Sequence, residues 1–137
     1  MTDISVSTKQ SHVEKRSWLL SPHGTEPGTT PSGTIGIALF TAGTHYPNGY
    51  IPSGTVLGRV TATGLLGPYD DDAVDGRAVA VGHLFSSITV NVGSTKVGCA
   101  YLVHGFVGRS KLPFATDATG GLDTAAEADL KHIIYSA

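Results

Sequence analysis

The sequence predicts a mainly β (α+β) domain: a compact β-rich body with a short C-terminal helix and an extended N-terminal arm. Three observations carry this. Glycine makes up 18 of 137 residues, about twice its usual share of roughly 7%. Only 15% of residues are charged, against about 25% in ordinary globular domains. Short runs rich in β-branched and apolar residues alternate with Gly, Pro, Asn and Asp clusters, and helical spacing occurs only near the C-terminus.

The body is expected at residues 34–137, with strand-like runs at 35–40, 55–62, 77–85, 87–92 and 97–107. Around the second run, Thr55, Val56, Val60 and Thr61 are β-branched, and Pro52, Gly54, Gly64, Gly67 and Pro68 mark the turns on either side. In the third, residues 78–81 with Leu84 and Phe85 put apolar side chains on both phases of the alternation, which suits a strand covered on two faces. A helix over about 124–134 is expected to close the domain. Thr124 and Glu127 have capping-box spacing, Asp123 adds negative charge at the start, and Ala126, Leu130, Ile133 and Ile134 recur at helical intervals.

Residues 1–33 have a different character. Ser, Thr, Pro, Gly and Lys dominate, interrupted by Ile4, Val6, Val13 and the triplet Trp18, Leu19 and Leu20. Ile4 and Val6 alternate with polar residues at period 2, a pattern suited to a strand, yet one short strand has no partner of its own and is expected to pair elsewhere. The Trp-Leu-Leu cluster requires shelter from water, either inside the chain or against a partner. Removal of residues 2–20 is expected to leave the body folded.

Several function classes lack their residues. Nine basic residues, scattered except for Lys15 and Arg16, form no clustered face for a phosphate backbone, so no direct nucleic-acid contact is expected. The first thirty residues hold no apolar run of seven after a basic start, and eighteen consecutive apolar residues occur nowhere. Neither a signal peptide nor a membrane span is therefore expected, and the chain is expected to be made in a cytoplasm. The lone Cys99 lies in an apolar run without a basic neighbour and reads as a small buried hydrophobe.

Asp70, Asp71, Asp72 and Asp75 are the densest acidic group, but a calcium-loop register begun at Asp71 meets Ala73 where an oxygen ligand belongs and Gly82 at the twelfth position. They read as a solvated turn. Of His12, His23, His45, His83, His104 and His132, no two share a helical face at ligand spacing. His83 and His104 alone sit alike in β runs and are placed to meet on adjacent strands. No Gly-x-Ser-x-Gly elbow or phosphate loop is present, since Gly93, Ser94, Thr95 and Lys96 lack the earlier glycine. Neither catalytic residues, cofactor nor metal is expected.

The segments GTVLGRVTATG (54–64), PYD (68–70), A-x-DG (73–76), AVAVGHL (78–84), YLVHGFVGRSKL (101–112) and DTAAEADLKHIIY (123–135) follow one another at intervals that resemble the lambda-type head decoration family of tailed bacteriophages. The resemblance covers about residues 50–135. It implies a β-tulip or barrel-like body and a non-enzymatic virion protein on the outer surface of the capsid, trimeric, seated at three-fold and quasi-three-fold positions of the expanded shell and stabilising it against packaged DNA. The major capsid protein and further copies of the chain are its implied partners, with residues 1–33 as the capsid-binding arm carrying Ile4, Val6, Val13, Trp18, Leu19 and Leu20. Two alternatives are a tail or head-tail connector protein and a trimeric dUTPase-like hydrolase. For the second, residues 42–45 lack the needed carboxylate and the chain is expected to end in a helix.

Overall fold

The computed structural model describes residues 14–26, 28–116 and 118–137; Ile4, Val6, His12 and Val13 lie outside them. Five strands close a barrel in the order β1, β4, β3, β5, β7: β1 (Ser32–Gly36), β3 (Val56–Arg59), β4 (Leu66–Pro68), β5 (Ala80–Leu84) and β7 (Lys96–Leu102). All neighbours are antiparallel except β1 with β4, which run parallel through Ile35 and Leu66. Closure leaves these strands without a free edge.

Two small sheets flank the barrel. Strand β2 (Tyr50–Ile51) pairs with β6 (Ile88–Thr89), and β8 (Gly105–Gly108) pairs in parallel with β9 (Ile133–Ser136). Among the described residues two short α-helices accompany the sheets, α1 (Ala42–His45) and α2 (Thr124–Asp129).

The double-phase apolar pattern has a direct cause. Leu57 faces the barrel interior with Ile35, Leu66 and Leu84, whereas the adjacent Val56 joins a second cluster with Trp18, Tyr69, Val107, Ala126 and Leu130. Tyr101 and Leu102 divide in the same way. Strands covered on both faces need apolar side chains on both.

The structure differs from the sequence expectation at several elements. The run 35–40 leaves β1 after Gly36 and closes a 3-10 turn in which Phe40 N–H donates to the Ile37 carbonyl at 3.0 Å. The run 97–107 is two strands in different sheets, broken where Gly105 takes φ +149°. The C-terminal helix is six residues long instead of spanning 124–134. Its N-cap is Asp123, whose Oδ1 accepts from Ala126 N–H at 2.7 Å, so the Thr124–Glu127 capping box does not form. Leu130 leaves helical geometry with ψ at 64°, and the β-branched Ile133 and Ile134 continue as β9 beside β8. The chain therefore closes on a strand.

The N-terminal boundary also moves. Of the segment 1–33 expected as an arm, residues 14–26 are fastened to the body and β1 begins at Ser32, while residues 1–13 lie outside the described residues.

Candidate functional site

The fastening begins at residue 14. Ser87 N–H donates to Glu14 Oε1 at 2.9 Å, while Arg16 donates through Nε to the Phe85 carbonyl and through Nη2 to Ser86 Oγ, both at 2.8 Å. The Arg16 guanidinium lies 4.2 Å from the centre of the Phe85 ring, a cation–π contact. Residues 18–20 then add a strand-like edge to β8: Gly108 N–H donates to the Trp18 carbonyl at 2.8 Å and Leu20 N–H to the Phe106 carbonyl at 3.0 Å. Leu19 bridges to Val107.

Trp18 is 1% exposed and sits in the second core cluster. Burial of an indole of roughly 200 Å² is worth about 5 kcal/mol before entropy, enough to hold this segment on the body. Its Nε1–H donates to Ser53 Oγ at 3.1 Å, and the Ser53 hydroxyl donates in turn to the Phe85 carbonyl at 2.6 Å. Gly54 packs against the indole edge with φ +96°, where a Cβ would stand 2.9 Å from Trp18 Nε1. Trp18, expected on the capsid-binding arm, thus belongs to the protein's own core, and Leu19 packs partly buried against it. Leu20 alone of the triplet is open, at 47%.

Trp18 also stacks on His83, which is wholly buried. His83 Nδ1 lies 3.0 Å from the Gly54 carbonyl, an obligate acceptor, so Nδ1 carries the proton and Nε2 accepts from the Tyr135 hydroxyl at 2.7 Å. Burial pushes the His83 pKa down to about 4, and both nitrogens are occupied, so the imidazole is a neutral structural element at pH 7. The Tyr135 hydroxyl is raised well above its usual range, chiefly by burial.

Beside Trp18 opens a cleft of about 470 Å³. Pro47, Pro52, Pro113 and Phe114 wall it, and Lys15 and Lys111 stand exposed among its lining residues. His45 in its floor is buried, with Nδ1 accepting from Thr41 N–H at 2.9 Å and Nε2 donating to the Thr119 carbonyl at 3.0 Å. Burial lowers the His45 pKa and keeps the floor neutral.

A second feature lies on the outer face of the β8–β9 sheet. Phe106 and Ile134 are register partners, 36% and 60% exposed, and Leu20 adjoins Phe106. Alongside them His23 and His104 meet edge to face at 4.7 Å between ring centres, and His104 stacks on His132 at 5.9 Å. The expected meeting of His83 with His104 does not occur, because His83 pairs in register with Leu102 and points inward. The trio of His23, His104 and His132 had no sequence signal, since the β8–β9 pairing brings His104 and His132 together and the segment after Leu20 adds His23. Among the described residues, no group of three or more His, Cys, Asp or Glu is arranged to hold a metal ion.

The acidic loop is a local network: Asp75 pairs with Arg77 at 3.0 Å, and Asp70 Oδ1 accepts from Asp72 N–H at 3.1 Å. Cys99 is half-buried in β7, its thiol pushed up to about 11 by burial. Among the described residues no helix is long and apolar enough to cross a membrane.

Comparison with curated proteins and with solved structures gives no match. The family model for bacteriophage lambda head decoration protein D matches residues 26–134, which takes in the whole barrel, α2 and the beginning of β9. The chain therefore belongs to the bacteriophage lambda head decoration protein D family, structural proteins of the virion carried on the outside of the phage capsid.

Proposed function

We propose that the protein binds as a homotrimer at three-fold and quasi-three-fold positions of the expanded capsid and stabilises the shell against the pressure of packaged DNA. Its direct partner is the major capsid protein, and the chain turns over no substrate. The family match over residues 26–134 is the observation that carries this reading.

The contact is assigned to residues 1–13, in which Ile4 and Val6 alternate with polar residues. Such a segment adds a strand to an exposed sheet edge, with main-chain bonds giving affinity and alternate side chains giving specificity. Residues 14–20 form its root, fixed to the body by Glu14, Arg16 and Trp18. One short arm buries little surface and must offset its own ordering. Three arms on one rigid trimer bind at an effective concentration of order millimolar once the first is seated, raising affinity about 100- to 10,000-fold where all three sites fit. Loading then depends on shell geometry.

The test is to mix the purified protein with expanded and unexpanded shells, sediment them and weigh the bound fraction. Saturable loading of expanded shells, with protrusions at three-fold positions in negative-stain images, is the expected result. Equal loading of both shells, or protrusions elsewhere on the particle, contradicts the proposal.

A further inference from the structure

We infer that the cleft between Trp18, the three prolines and Phe114 is a second docking site, one that receives an acidic extended segment of the capsid protein. The inference rests on the decoration role proposed above.

Charge singles the cleft out. Its lining includes Lys15 and Lys111 and no acidic residue. Arg16, Arg77 and Arg109 each have a carboxylate partner, whereas neither lysine has one within 4.0 Å among the described residues. Two unneutralised ammonium groups over a neutral floor attract a carboxylate-bearing ligand and repel a basic one.

Shape selects a peptide over a small anion. The floor offers no converging set of free donors, because the Trp18 indole, Ser53 and His45 already spend theirs inside the protein. A volume of about 470 Å³ accommodates several side chains. Proline and aromatic walls are rigid, so little entropy is lost when an extended chain lies against them.

Position selects the capsid protein. Lys15 follows directly on residues 1–13, and the Glu14 and Arg16 contacts pin it to the rim. The root of the arm therefore stands at the cleft, and a polypeptide engaged close to that root is brought beside it, so that the two contacts act in series on one partner.

The experiment compares three variants of the full chain for loading onto expanded shells at low and high salt. Lys15→Glu with Lys111→Glu reverses the charge of the cleft. Lys96→Glu with Lys131→Glu makes the same change in net charge at exposed lysines outside it. Thr44→Trp, at an exposed lining position, fills the space without changing charge. All five positions are exposed, and thermal melts check that each variant folds as the wild type does. The expected result is an apparent affinity for shells lowered about ten-fold or more by the cleft reversal, with a flatter salt dependence, lowered likewise by Thr44→Trp, and changed less than about two-fold by the control pair. Equal effects of the two charge pairs, or full loading by Thr44→Trp, overturn the docking site while leaving decoration intact. Failure of the wild-type protein to load overturns the decoration role, and the cleft assignment with it.

Discussion

The Trp18 indole stacks over the His83 imidazole, ring centres 5.6 Å apart and planes 26° from parallel, so Trp18 covers a histidine that is wholly buried in the body. This contact ties the root of the N-terminal segment to β5 and, through Tyr135, to β9. Folding and the response to pH both pass through it.

Stability should drain on acidification. A histidine held at about 4 when folded, against about 6.5 when unfolded, gives an unfolded chain that binds more protons between those values. Its contribution is complete above about pH 6.5 and is lost as the pH falls toward 4, amounting to about 3 kcal/mol. Denaturant melts from pH 7 to pH 4 check this. Tyr135→Phe, which strands His83 Nε2 without its donor, should cost about 1–3 kcal/mol at pH 7.

Trp18→Ala should destabilise the domain by about 3–5 kcal/mol, whereas Leu20→Ala should stay within about 0.5 kcal/mol. Side-by-side urea melts measure both. Loss of residues 2–20 removes Trp18 and is now expected to unfold or loosen the body, contrary to the expectation from sequence.

At Gly54, a methyl group meets both a left-handed backbone and the indole edge. Gly54→Ala should cost about 1–3 kcal/mol in a thermal melt, through strain at φ +96° and displacement of Trp18.

Asp123 serves two neighbours, capping α2 through Ala126 N–H and accepting the Tyr69 hydroxyl at 3.0 Å. Burial and the adjacent carboxylate hold Tyr69 protonated well above its usual range. Asp123→Ala should cost about 1–2 kcal/mol, and Asp123→Asn, which still caps, distinctly less.

The strands β3, β5 and β7 were legible because their apolar residues lie on both phases between turn residues. Strand β4 was not, since Leu66, Gly67 and Pro68 include no β-branched residue and are held as a strand by β1 and β3 on either side. Strand β9 was concealed by helical spacing: Ala126, Leu130 and Ile133 are all buried, but over two elements, while Ile134 faces outward. The need to shelter Trp18 could be read from its size, though not what would shelter it, because Ser53, His83 and Val107 are distant in sequence. For the same reason the cleft had no local signature: its lining is drawn from residues 15–18, 44–53, 87 and 111–114.

The measurement that tests the account most directly is shell loading by a chain lacking residues 2–13, which keeps Glu14, Arg16 and Trp18 and so keeps the root. The account predicts a melting profile like that of the full chain together with loss of binding to expanded shells. A truncated protein that loads expanded shells as the full chain does would contradict it.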